Sequence, residues 1–411
     1  MSRKPALAVV GATGAAGAVM LQILSQHADI WGDIRLIASP RSAGRKLTVR
    51  GEMTEVIALD EAALDGVDVA LFLVPEEIAA HWAPIAAAGG TVVVDASPAF
   101  RTDPDVPLVV PEINPHAVRV RPRGIVASPG CATLALIVAV GSLHAEFGLS
   151  ELVVSTYQAA SGVGQAGVGA LREQLSLVAG TELGTTPGDV RRAVEAGGGP
   201  RAGRGGIAGH GGTARRGDAA GRGGIVGRGD VVGRGGIVGR GEEAAPFPAP
   251  LALNVVPWAG ELAEDGWSSE ELRIRAEARK ILDLPQLRVA ATCVRVPVVT
   301  AHSVSVHARF EREVTVARAH EILATSPGVV LYDDPAAGDF PTPADIVGTD
   351  PTWVGRVRRA LDDPRALELF VCGDNLRKGA ALNAAQVAEA IAAERLTGPP
   401  PNGVRTGYPV D

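Results

Sequence analysis

The 411-residue chain is poor in aromatic residues, at 4% Phe, Trp and Tyr, and contains three cysteines. Scarce aromatics require an aliphatic core of Val, Leu, Ile and Ala, which a 46% hydrophobic content can supply. The cysteines, Cys131, Cys293 and Cys372, are too few and too scattered for a disulfide framework or a zinc site. A reducing compartment and no metal are expected. The first residues run straight into a strand pattern, without the apolar stretch and cleavage site of a secretory signal. The longest stretch free of Asp, Glu, Lys and Arg, 124–145, is broken by Pro129 and Gly130. The apolar remainder is too short for the ~30 Å of a bilayer. A cytoplasmic protein with no membrane partner is the expectation.

Charge is unevenly placed. The net charge is −7, yet residues 197–241 hold 20 of the 51 glycines with eight arginines and two aspartates, +6 in all, leaving −13 elsewhere. An acidic body gives no general reason to bind nucleic acid. Within the basic segment GRGGIVGRG stands at 221–229 and again at 233–241, and a decayed copy lies at 203–214. This repeat is too short and carries too little apolar mass to pack, so 195–245 reads as a low-complexity insertion in a surface loop. Arginine-glycine segments that bind single strands interleave aromatics for stacking, and none occurs here, so a nucleic-acid partner is not expected.

Strand patterns at 6–10, 33–38, 67–73 and 91–95 alternate with helical ones at 18–26 and 76–88, which predicts an α/β fold with a Rossmann-type parallel sheet. After 149 the texture changes to longer strands at 151–157, 287–297, 302–310 and 367–372. Helices are predicted at 132–143, 167–176, 269–282 (capped by Ser268 or Ser269), 316–324 (capped by Thr315) and 379–393. This is an α+β pattern.

Between the first strand and helix, VVGATGAAG at 9–17 supplies Gly11, Ala12, Thr13, Gly14, Ala15, Ala16 and Gly17 as GxxGxxG. Such a turn lets a pyrophosphate approach a helix N-terminus, where amides point outward. The acidic residue that would bind a free ribose hydroxyl is missing after the next strand. Ser39, Arg41 and Ser42 stand there in SPRSAGRK, and hydroxyls with a cation suit a 2′-phosphate, favouring NADP over NAD. The alternative is a basic surface loop. Cys131 follows Ser128-Pro129-Gly130 and opens an apolar helix, where the dipole and free amides favour a thiolate. Taken alone, a cysteine in this company is more often packing. YQAASGVG at 157–164, with Gln158, Ser161 and Gly162, is a second glycine-rich strand exit suited to a site rim. Arg295 lies in the apolar run CVRVPVV, where its charge needs a partner such as a bound carboxylate. His302, seven residues on, is suited to moving protons near neutral pH. Taken alone, such a pair is more often structural.

GATGAAG, AFRTDPDVPLVVPEINP, PGCATL, YQAASG, ARKIL, TCVRVPV with HS following, and GDNLRKGAALNAAQ occur in this order between residues 5 and 394. In these motifs the chain resembles the aspartate-β-semialdehyde dehydrogenase family. The resemblance implies a two-domain architecture like that of glyceraldehyde-3-phosphate dehydrogenase. Residues 1–130 would form the NADP-binding domain, completed by a C-terminal helix at 373–395. Residues 131–372 would form a catalytic and dimerisation domain, and 396–411 a flexible tail. It also implies a homodimer that reversibly reduces L-4-aspartyl phosphate to L-aspartate 4-semialdehyde and phosphate with NADPH through a cysteine thioester, on the route to lysine, methionine and threonine. Cys131 would be the nucleophile, His302 the acid/base, and Gln158 an orienting group. Arg295 would hold the substrate carboxylate, Glu270 its ammonium, and Arg101 with Arg273 its phosphate. Ser161, Gly162 and Asn383 would touch the cofactor.

Several positions depart from the family pattern. Ser128 and Gly130 stand where asparagines are usual, Ala96 and Ala276 likewise, Arg273 replaces lysine, and Ala384 replaces threonine. Losing oriented polar groups can cost ~10²–10³ in rate each, so an impaired or repurposed paralogue is one alternative. N-acetyl-γ-glutamyl-phosphate reductase is another, since its cysteine also follows Pro-Gly. That family usually continues Tyr-Pro-Thr, whereas this chain has Ala132-Thr133-Leu134.

Overall fold

A computed structural model describes residues 3–27, 29–197 and 245–397. The Gly/Arg repeats and the tail beyond 397 lie outside the described residues.

The first sheet grows from β1 (Leu7–Val10), four residues buried on both faces. It pairs in parallel with β2 (Ile34–Ala38) and β5 (Val69–Phe72), and α1 (Ala15–Gln26) links it to β2. β3 (Lys46–Val49) and β4 (Glu52–Ala58) form a hairpin whose second strand lies parallel to β2. A single turn, α2 (Glu61–Leu64), is capped by Asp60, which accepts from the Ala63 amide. Then come α3 (Glu76–Ala88), β6 (Val92–Asp95) and β7 (Ile125–Ala127), giving the strand order β3-β4-β2-β1-β5-β6-β7.

α4 (Cys131–Phe147) follows β7 directly and is apolar on every side, with Ala132 through Gly141 buried without a break. A helix without a polar face must be covered all round. It is: Leu134, Ile137 and Val140 share one core with Leu152 and Val154 of β8 (Leu149–Gln158) and with Val93 and Ile125 of the first sheet. Each such buried side chain contributes about 1.5–3 kcal/mol. The chain continues through α5 (Gly164–Val178), α6 (Asp189–Ala196), α7 (Ser269–Ile281) and β9 (Arg288–Arg295). Ser268 caps α7 reciprocally with Glu271, as the Ser-x-x-Glu spacing dictates. β10 (His302–Phe310), α8 (Val316–Thr325, capped by Thr315), β11 (Val329–Leu331), α9 (Pro343–Ile346), β12 (Thr352–Arg359) and β13 (Ala366–Gly373) complete the second sheet, ordered β11-β12-β13-β10-β8-β9. After a π-helical turn, Arg377–Leu382, α10 (Asn383–Thr397) returns to the first sheet, burying Ala384, Val387 and Ile391 against Leu7, Val9 and Leu71. No helix among the described residues is long and apolar enough to cross a membrane.

Register places the chemistry. β8 and β9 are parallel with Gln158 opposite Arg295, while antiparallel β10 puts Ser303 opposite Tyr157. Gln158, Arg295 and His302 therefore reach one end of the sheet, the end that faces the start of α4.

Candidate active site

Cys131 is the first residue of α4, preceded by Gly130 at the N-cap. The π-helical turn presses on it: a Cβ on Gly379 would lie 2.6 Å from the Cys131 Cβ. Burial outweighs the helix start and pushes the thiol up to about 11. The Glu270 carboxylate adds to that, while Arg295 and Arg101 work against it.

His302 is buried at the start of β10. Its Nδ1 accepts from the Ala159 amide at 3.1 Å. A nitrogen that accepts carries no hydrogen, so the neutral ring bears its proton on Nε2. Nε2 is buried and finds no partner among the described residues. Burial and the adjacent Arg295 charge push the ring down to about 3, keeping it neutral near pH 7. Before it, Ala301 adopts φ +77°, costly for a residue with a Cβ. Asn375 holds that turn by accepting from the Ala301 amide at 2.9 Å while bonding the Ser161 hydroxyl.

Arg295 is 6% exposed and donates to the Ala159 carbonyl at 3.1 Å, with no ion pair among the described residues. A buried cation without an anion is incompletely satisfied, and a carboxylate suits it. Gly162 makes its proximity to His302 feasible: a Cβ there would lie 2.4 Å from Arg295 Nη1 and 3.2 Å from His302 Nε2. Gln158 is buried beside them and donates to the Thr156 hydroxyl.

Arg101 is buried and donates through Nε to the Ser128 carbonyl (2.9 Å), through Nη2 to the Ala96 carbonyl (2.7 Å) and through Nη1 to Glu277 (3.3 Å). Arg273 bridges Glu270 (3.3 Å) and Glu76 (3.5 Å), so two residues expected to grip substrate pair with each other.

The glycine turn has the shape its spacing requires. Gly11 has φ +93°, and a Cβ there would lie 2.2 Å from the Leu73 carbonyl oxygen. Gly14 caps α1, with Ala15, Ala16 and Gly17 in its first turn. Ala12 is buried, and Thr13 reaches the Ser42 hydroxyl at 3.5 Å. Ser39 and exposed Arg41 flank that contact. Asn383 opens α10 fully buried, donating to the Val109 carbonyl and the Ser128 hydroxyl, while its Oδ1 has no partner among the described residues. Ser128 thus supports Asn383, a use its departure from the family pattern did not suggest.

Residues 6–120 match the family model for the semialdehyde dehydrogenase NAD binding domain, and 140–378 that for the dimerisation domain. Aspartate-semialdehyde dehydrogenase of Corynebacterium glutamicum is 40% identical over 392 residues, covering 94% of this chain and 98% of its own. The Bacillus subtilis enzyme of that name is 33% identical over 397 residues, covering 95% and 98%. Among solved structures, aspartate semialdehyde dehydrogenase II of Vibrio cholerae, complexed with ASA, superposes with a TM-score of 0.77 at 31% identity, covering 96% of this chain and 99% of that one. The chain belongs to the aspartate-semialdehyde dehydrogenase family.

As a member of this family it carries a nucleotide-binding fold that fits a nicotinamide dinucleotide. The Gly11 turn leads β1 directly into the α1 N-terminus, and Asn383, on the helix packed against the same sheet, has an Oδ1 without a partner among the described residues. Glu277, Lys280, Asn375 and Glu76 also belong to the site, although their residue types alone do not single them out. Glu277 could have been found, because residues 270, 273 and 277 of one helix share a face.

Proposed function

We propose that this chain reversibly reduces aspartyl phosphate to aspartate semialdehyde and phosphate, with NADPH as reductant and Cys131 as acyl carrier. Arg295 carries this reading: it is a buried cation without an ion pair, beside a buried histidine nitrogen without a partner, among the described residues. In this reading Arg295 binds the substrate carboxylate, and Arg101 and Arg273 receive the phosphate. The substrate ammonium pairs with Glu270. That removes the carboxylate's repulsion on Cys131, so the thiol ionises more readily once substrate is bound. The thiolate attacks the acyl carbon, the bond to the phosphate oxygen breaks, and a thioester remains. When bound, the reduced nicotinamide supplies the hydride to that carbon. His302 acts as the acid toward the oxygen that gains charge by hydrogen-bonding it through Nε2–H. As the C–S bond breaks, that charge returns to the sulfur and the aldehyde forms, while Gln158 orients the reacting group.

Ser39, Arg41 and Ser42 are assigned to the 2′-phosphate of NADP, Ser161 and Gly162 to the cofactor's inner end, and Asn383 to its carboxamide. The match to a dimerisation domain supports a homodimer. The domain bounds 1–130 and 131–372 and the place on the route to lysine, methionine and threonine belong to the same reading. The test is phosphate-dependent reduction of NADP by aspartate semialdehyde, followed by absorbance beside a Cys131→Ala control. Activity lost in the control supports the proposal; none in the parent chain refutes it.

A further inference from the structure

Lys280 lies in the ARKIL motif, to which the family resemblance attaches no role, and Glu277 stands one turn before it on α7. The Glu277 side chain is completely buried. Its Oε1 accepts from Arg101 at 3.3 Å, and its Oε2 from the Gly130 amide at 2.9 Å, immediately before Cys131. Lys280 reaches the loop that carries Arg101. Its ammonium donates to the carbonyls of Arg101 (3.0 Å), Asp103 (2.6 Å) and Val106 (2.7 Å). An ammonium has three N–H donors, so all are committed to backbone. Arg101 has five, of which Ser128, Ala96 and Glu277 each take one. The remainder can serve an anion only if the fork is held in place.

We infer that Glu277 and Lys280 are positioning residues: Lys280 fixes the 101–106 backbone, while Glu277 sets the Arg101 guanidinium and the Gly130 peptide, so that phosphate recognition depends on α7. The inference rests on the reading of Arg101 as a phosphate ligand. The two carboxylate oxygens of Glu277 divide between the anion-binding arginine and the peptide before the nucleophile. A single rotation of its side chain would therefore disturb both. A residue that merely held the domains together would weaken every ligand alike. These contacts bear on the phosphate end of the site.

The test uses the full chain with Glu277→Gln, which keeps an acceptor for Gly130 but loses the charge, and Lys280→Met, which keeps the stem but loses the donors. KM is measured separately for phosphate, aspartate semialdehyde and NADP. In parallel, inorganic phosphate is titrated against alkylation of Cys131 by iodoacetamide. Both variants are expected to raise the phosphate KM at least tenfold, to leave the other two within twofold, and to shift the protection curve equally. Lys280→Arg should restore part of the loss, and Lys280→Met should add nothing in an Arg101→Met background. Equal rises for all three ligands, full additivity with Arg101→Met, or loss of the folded melt in both single variants would overturn the inference. If the parent chain does not turn over, the reading of the reaction fails. The protection curves still decide this inference, and unchanged protection in the variants, or none in the parent, refutes it.

Discussion

Gly162→Ala is the smallest change that should disable this site without unfolding it. The Gly162 backbone is outside the positive-φ region, so alanine meets no conformational penalty. The added Cβ, however, would sit 2.4 Å from Arg295 Nη1, far inside van der Waals contact, and 3.2 Å from His302 Nε2. Arg295 must move by about 1 Å to restore ordinary separation, and that strains its bond to the Ala159 carbonyl. Misplacing a substrate-holding group by ~1 Å can cost on the order of 10²-fold in rate. We expect kcat/KM for aspartate semialdehyde to fall about 100-fold, with NADP affinity within threefold of the parent and the melting temperature little changed. Steady-state kinetics and a fluorescence titration of NADP measure both. Unchanged kcat/KM would refute the steric argument. A loss confined to NADP binding would show that the added Cβ meets the cofactor and not Arg295.

Gly11→Ala places a Cβ 2.2 Å from the Leu73 carbonyl at φ +93°, so dinucleotide binding should fall at least tenfold by titration. Arg41→Ala should weaken NADP about tenfold and leave NAD unaffected, because a single phosphate contact is lost. His302 titrates near 3 in the folded chain against an ordinary 6.5. As pH falls below 6.5 the unfolded chain therefore takes up a proton that the folded chain refuses. Stability should decline by roughly 1.4 kcal/mol per pH unit from this group, and His302→Gln should remove that component in denaturant titrations. With its thiol near 11, Cys131 should react slowly with iodoacetamide at pH 8 and about tenfold faster per pH unit above it. Glu270→Gln should move that profile to lower pH.

The glycine turn was legible because sterics dictate it: no residue with a Cβ fits at Gly11. The start of α4 was legible because an apolar run that begins after Pro-Gly has nowhere else to begin. The hairpin β3–β4 was not anticipated. It is a sheet edge with Lys46, Thr48, Glu52 and Glu55 exposed, and reads as loop. β12 was missed because Arg356, Arg358 and Arg359 break its apolar alternation. Chemical types pointed to Cys131, Arg295 and His302 singly, whereas their arrangement depends on register between strands far apart in sequence. The partners of Glu277 lie 147 and 176 positions away, beyond any local pattern. The raised titration of the Cys131 thiol was likewise invisible, since it depends on burial and on Glu270.

The most direct test of the account is to trap the acyl-enzyme. The chain is mixed with aspartate semialdehyde and NADP in the absence of phosphate, quenched in acid, and its tryptic peptides weighed. The account predicts stoichiometric formation of NADPH and an aspartyl adduct on the peptide containing Cys131, discharged when phosphate is added. No adduct, or one on Cys293 or Cys372 instead, would contradict it.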